Sequence, residues 1–324
     1  MRRGLAGWLA VILLLSRSAA LAEPPFWKTE WPNTDFSIRA VESWTEILSG
    51  GPGKDGIPAL SDPVMVPVVQ ADLPDTAPVL TVALDGQPAR AYPLRYMTWH
   101  EIVNDRIGGV PVTVTFCPLC NSAIAFDGRL NGQELTFGVT GKLRHSDMVM
   151  YDHQTESWWQ QALGQGIVGE MTGQALTQLP SWLEGYSQFR KAHPDGLIMA
   201  EPTHARPYGR NPYERYDSSD RPFLYSGEMP PDGIAPLSRV VRVGDRAWPL
   251  ARLAQAGRIE EAGVVLSWQA GQASALDAGE MAQGRDVGSV RVRDAQARDV
   301  VHDVMFAFAF HAFWPEGEWM TGAR

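Results

Sequence analysis

The sequence predicts an α+β fold, mainly antiparallel β with short helices, and suggests an organisation in two related β-rich halves. Three observations carry this expectation. Short apolar runs are broken by 24 prolines and 31 glycines, a turn-dense composition that suits strands and disfavours a helix bundle. Residues 79–84 and 89–92 flank Asp85-Gly86, the signature of a β-hairpin. The pattern then returns downstream. Residues 240–250 resemble the first hairpin through Pro93 and Leu94, and residues 264–268 resemble the strand ending at Phe116. In that alignment Gln269 and Gln272 stand where the first copy has Cys117 and Cys120, and nothing corresponds to His100.

Taken in order, residues 1–22 read as a Sec-type signal peptide. Arg2 and Arg3 precede an apolar run, and Ala20-Leu21-Ala22 offers a small-x-small cleavage site. The expected location is therefore periplasmic or extracellular. No other stretch approaches the roughly 18 apolar residues of a membrane span. Losing three arginines with the signal takes the formal charge from −9 to −12, which argues against nucleic acid as a partner, because its phosphates need Lys and Arg.

Residues 23–56 read as an extended N-terminal segment with a short helix near 41–48. A β-rich half over residues 57–200 carries the chemistry. Within it a helix is expected over 94–107, stopped by Gly108-Gly109. A strand over 110–116 follows, then a second hairpin from 123–126 and 134–139. Residues 201–233 form a long loop, and residues 234–324 a degenerate second half packed on the first. Alternating apolar residues over 306–319 suggest one or two closing strands.

The only two cysteines lie in Thr115-Phe116-Cys117-Pro118-Leu119-Cys120-Asn121-Ser122. A Cys-x-x-Cys pair serves as a redox dithiol, half of a soft-metal site or a structural disulfide. Closing so small a ring stabilises by only about 2 kcal/mol, against about 4.7 for a 100-residue loop, so a purely structural bridge is the weakest of the three. No helix is expected after Cys117 to lower its pKa, so a metal knuckle fits better than a thioredoxin-like site.

On the expected helix His100 and Asn104 share one face, with Glu101 and Asp105 on the next. His100 would complete a Cys2His ligand set for copper or zinc, and Glu101 would orient the imidazole. His145, Asp147, Met148 and Met150 share one short segment, and a thioether there would favour copper. Met148 and Met150 have core packing as their rival role, as do Trp158 and Trp159, one of which could instead wall a pocket.

The chain resembles a widespread family of secreted prokaryotic proteins of unknown function. The resemblance rests on Asp55-Gly56-Ile57-Pro58-Ala59-Leu60, Ala91-Tyr92-Pro93-Leu94, His100-Glu101-Ile102-Val103-Asn104-Asp105, the Cys117 motif through Phe126-Asp127, and the stretch from Phe137-Gly138-Val139 to Tyr151-Asp152. It extends through Tyr208-Gly209 and Pro212-Tyr213. His145 departs from that family's pattern, where a less ionisable residue stands. The resemblance implies no activity.

Three functional readings follow. The leading one is a metal-site protein with Cys117, Cys120 and His100 as ligands, acting as an oxidoreductase or other metal-dependent enzyme, or as a non-catalytic copper-handling protein. The second is a metal-free thiol-disulfide redox protein. The third is a ligand-binding scaffold using Trp158, Trp159 and the loop from Tyr208 to Tyr225.

Overall fold

The computed structural model describes residues 23–322, so the signal-peptide segment lies outside the described residues. Among those described, 24 strands form five principal sheets and one ribbon. The first sheet runs β1 (Ile47–Ser49), β11 (Phe137–Arg144), β12 (Asp147–Asp152), β13 (Trp158–Gln160), β14 (Gln165–Val168). The second runs β15 (Gln178–Leu179), β8 (Ser122–Asp127), β7 (Val110–Cys117), β6 (Ile102–Ile107), β2 (Leu60–Ser61). The third runs β16 (Ser181–Gly185), β4 (Pro78–Val82), β5 (Arg90–Pro93), β17 (Leu197–Met199), β3 (Met65–Pro67). The fourth runs β23 (Asp303–Phe306), β18 (Arg239–Val243), β19 (Arg246–Pro249), β24 (Glu318–Trp319). The fifth runs β20 (Arg258–Glu261), β21 (Val264–Gln269), β22 (Ser289–Arg293), and the ribbon pairs β9 (Arg129–Leu130) with β10 (Gln133–Glu134).

These sheets are arranged as a five-blade β-propeller, and helix makes up only 15% of the chain. The α+β expectation is thereby corrected. Besides α1 (Pro25–Glu30), the helices are α2 (Leu94–His100), α3 (Tyr186–Ala192), α4 (Leu250–Ala256) and α5 (Ala307–Phe313). Each of these last four is seven residues long and joins two consecutive strands, so they act as connectors. They form no layer of their own.

Strand order repeats. β4-β5-α2-β6-β7-β8 is matched by β18-β19-α4-β20-β21-β22, and β16-α3-β17 by β23-α5-β24. In both copies the last strand pairs parallel to the second, β17 with β5 and β24 with β19. Pro93 and Pro249 each precede a seven-residue helix, where a fixed φ and missing N–H cost nothing. Each helix is stopped by a residue with positive φ, Glu101 in one copy and Gly257 in the other. The next hairpin turns on Gly108-Gly109 in the first copy and Ala262-Gly263 in the second, all with positive φ, as a two-residue turn between antiparallel strands requires. Register aligns the strand ends: Cys117 pairs with Ser122, and Gln269 with Ser289.

Several local expectations are corrected. The helix expected over 94–107 ends at His100, and β6 begins at Ile102. His100 and Asn104 therefore share no helical face. The short helix near 41–48 is a single 3-10 turn, Trp44–Glu46, leading into β1. Residues 123–126 and 134–139 do not pair with each other, since β8 pairs with β7 and β15, and β11 with β1 and β12. The alternating Phe and Ala after 306 form α5, which buries Ala307, Phe308, Ala309 and Phe310 together. An apolar surface on every side suits a helix in the core, and period-2 alternation cannot distinguish it from a strand.

One apolar core runs through both copies, from Leu60 and Tyr92 to Phe306 and Phe310, and it includes Cys117, Cys120, Met148, Met150 and Trp159. A second cluster packs Trp27, Trp31, Phe36 and Trp44 of the N-terminal segment against Trp158 and Val149. The N-terminal segment is therefore part of the first blade's packing.

Candidate metal centre

The loop between β7 and β8 folds Cys117 and Cys120 inward, and the turn between β11 and β12 brings Asp147 to meet them. All three are buried, both cysteines are free thiols, and the ligand atoms of the three residues lie within 4.8 Å of one another. The Cys120 thiol donates to Asp147 Oδ1 at 2.8 Å. Asp147 Oδ2 accepts from Gln160 Nε2 at 2.6 Å and from the Ala162 amide at 2.9 Å. The Cys117 thiol points to the Ser146 carbonyl at 3.9 Å. The carboxylate is thus oriented by two donors besides the thiol.

Backbone strain gathers around this cluster. Glu101, Asn121, His145 and Ser146 all have positive φ without being glycine. His145 and Ser146 form the two-residue turn that carries Asp147, as Arg144 pairs with Asp147. Such turns normally take Asn or Gly. Residues held there cost of order 1–3 kcal/mol each and concentrate at functional sites. Asn121 tolerates the conformation best, and its side chain donates to the Val304 carbonyl at 3.0 Å.

The site is acidic and buried. Burial, followed by repulsion from Asp147, pushes the Glu101 carboxyl up to about 8. Burial likewise raises Asp147, outweighing the hydrogen bonds it accepts. Burial raises both thiols, Cys120 well above its ordinary range. No Lys or Arg forms an ion pair with Glu101 or Asp147 among the described residues. The Glu101 carboxyl has no hydrogen-bond partner there either. Nearby, the Ser122 and Ser146 hydroxyls and Gln161 Oε1 are buried and unpaired. Buried ionised groups without a counter-charge are costly, so these acids are held in their protonated forms, and a bound cation would offset the cost of ionising them. The donor set fits a thiophilic divalent ion.

The sequence expected His100 as the third ligand. Instead its Nδ1 bonds the Pro58 carbonyl at 2.7 Å and its Nε2 meets the Tyr208 hydroxyl at 2.6 Å. With both nitrogens engaged and burial lowering its pKa, it holds the segment before β2 to the long loop as a neutral ring. The residues that converge are Cys117, Cys120 and Asp147, where the sequence expected Cys117, Cys120 and His100. Glu101 does not orient His100 either, because no hydrogen bond joins them.

Asn104 clamps β6 to β11, donating to the Phe137 carbonyl and accepting from the Phe137 amide, both at 2.8 Å. Asp105 pairs with Arg90 and accepts from the Tyr92 hydroxyl at 2.6 Å. His145 is half-buried against Phe313 and Tyr225. Met148 and Met150 belong to the core. Trp159 donates to Asp152 Oδ2 at 2.8 Å and is fully buried, as is Trp158, so both indoles are closed to a ligand.

Two tyrosines of the long loop adjoin the site: Tyr213, met in the sequence only within the Pro212-Tyr213 motif, and Tyr216, which no motif marked. The Tyr216 hydroxyl donates to the Leu119 carbonyl, between the cysteines, at 2.9 Å. Burial raises the Tyr213 phenol, and Glu101 and Cys117 raise it further. Asp217 fixes this segment by accepting from Arg239, Ser274 and Arg285. Outside lies a cavity of about 530 Å³ lined by Leu119, Tyr213, Arg215, Tyr216 and Phe223. Only the Tyr-rich composition of residues 208–225 hinted at this role.

A mostly β chain of short blades with a buried dithiol-carboxylate cluster defines the class of protein. The chain belongs to the family described as Protein of unknown function (DUF3179), which matches residues 54–317. Comparison with curated proteins and with solved structures found no match. No helix among the described residues is long and apolar enough to cross a membrane.

Proposed function

We propose that this protein is exported and binds one thiophilic transition-metal ion through Cys117 Sγ, Cys120 Sγ and the Asp147 carboxylate. The convergence of three buried ligand atoms within 4.8 Å carries the reading. Zinc or copper are the candidates, and the hard carboxylate oxygen beside two thiolates favours a divalent ion, zinc above all, over Cu(I). Three protein ligands leave a coordination position open, the arrangement of catalytic sites. Glu101, an unpartnered carboxyl near neutrality beside the ligands, is suited to accept a proton there.

A thiol-disulfide role has less support. Exchange needs an accessible thiolate, and both sulfurs are buried with raised pKa values.

The test is mass-spectrometric metal analysis, with a thiol count, of mature protein purified without a metal-affinity tag. About one equivalent is expected, lost in Cys117→Ser/Cys120→Ser and weakened in Asp147→Asn. Stoichiometric metal surviving the double serine variant would sink the proposal.

A further inference from the structure

We infer that residues 220–230 are a hinged flap over the metal centre, latched by the Tyr216 hydroxyl, and that its opening is the event that exposes Cys117 and Cys120. In the closed state both sulfurs are buried, with Cys117 2% and Cys120 0% exposed. Something must therefore move before a reagent, an ion or a substrate reaches them. The passage of an ion by this route rests on the metal-site reading; the flap itself does not.

The segment before the flap is fixed. The Asn211 amide donates to the Gly279 carbonyl, its side chain to those of Ala275 and Ala278, and the Arg215 amide to the Asp277 carbonyl at 2.7 Å. Asp217 is paired with Arg239 and Arg285. After Ser219 this support stops. Residues 220–230 contain no helix or strand, and among the described residues a single hydrogen bond leaves the segment, from the Phe223 amide to the Tyr216 hydroxyl at 3.2 Å. Pro222 and Pro230 are buried towards its two ends, whereas Phe223, Leu224 and Met229 between them are exposed. Few backbone bonds and little burial mark a segment that opens at low free energy.

The flap reaches both turns that carry the ligands. On the cysteine side the Tyr216 hydroxyl accepts from Phe223 and donates to the Leu119 carbonyl at 2.9 Å, so one hydroxyl joins the flap to the Cys-x-x-Cys loop. On the Asp147 side Tyr225 of the flap packs against Phe308, ring centroids 4.9 Å apart, and faces His145 at 6.5 Å. Phe223 also lines the cavity of about 530 Å³ together with Leu119 and Tyr216. Swinging the flap outward breaks one hydrogen bond and uncovers one half-buried tyrosine. It loosens both ligand turns at once.

Alkylation of the metal-free, reduced mature protein with iodoacetamide, followed by mass spectrometry at several low urea concentrations, tests the inference. Both thiols should react through local opening, at a rate that changes little with urea, because little surface is exposed in the open state. Tyr216→Phe, which removes both latch bonds, should raise the rate about tenfold, and Tyr225→Ala should raise it as well. Urea midpoints establish that each variant is folded. A rate that climbs with urea as steeply as global unfolding does, or that is unchanged in either variant, would overturn the inference. Because no metal is present in this measurement, its outcome and that of the metal analysis are separable.

Discussion

Glu101 and Gly257 occupy the same place in the two copies of the repeat, and both leave their helix with positive φ, 59° and 71°. Glycine adopts that conformation freely and glutamate does not. The first copy therefore accepts both backbone strain and a buried, unpartnered carboxyl beside the thiols. Glu101→Gly should stabilise the metal-free protein by about 1–3 kcal/mol in urea unfolding, while weakening whatever reaction the site performs.

The same carboxyl sets a pH dependence. Folding raises it from its ordinary 4.5 to about 8, so the folded state binds its proton more tightly than the unfolded chain does. Its contribution is full below about pH 4.5, declines as pH rises through that interval and is lost above about pH 8. Metal-free Glu101→Gln should show a flatter fall in stability between those limits than the unsubstituted protein. Equal slopes in pH-resolved denaturation would refute this.

Metal affinity should rise with pH. Burial raises both thiols, and a metal binds their thiolates, so loading releases protons. With two thiol protons displaced, affinity should increase about a hundredfold per pH unit below the thiol pKa values. Competition against a chromophoric chelator at several pH values measures that slope.

Asn104 satisfies both backbone groups of Phe137 from a buried position. Asn104→Ala would leave a buried amide and carbonyl unpaired at the junction of two blades. A loss of about 2–4 kcal/mol is expected from denaturant midpoints.

Trp31 is fully buried and lies edge-on to Trp158 and Tyr151. Trp31→Ala should cost about 3–5 kcal/mol. A change below about 1 kcal/mol would mean that the N-terminal segment is dispensable to the first blade.

What could be read from the sequence followed local chemistry. Asp85-Gly86 announced the turn between β4 and β5, and the helix start after Pro93 was legible, whereas Gly108-Gly109, read as a helix stop, turns the hairpin between β6 and β7. The end of α2 was hidden, because nothing in a glutamate signals a helix stop; only comparison with Gly257 could have done so. Blade pairing was equally hidden, because which strands neighbour depends on contacts far apart in the chain. At the site, both thiols were evident from spacing alone. Asp147 was noticed only as a neighbour of His145, since its approach depends on the turn at His145 and Ser146. His100 drew attention through its place on a helix expected to run into the cysteine strand, but its chemistry is spent on Pro58 and Tyr208.

The copy without thiols closes its three-stranded sheet with the same pairing as the copy that has them. No ion is required to build that architecture. Unlike a zinc finger, whose fold dissolves with its metal, this protein should survive chelation with its circular dichroism spectrum unchanged. A metal held by Cys117, Cys120 and Asp147 would then be an exchangeable passenger, loaded or surrendered after the chain has already taken shape.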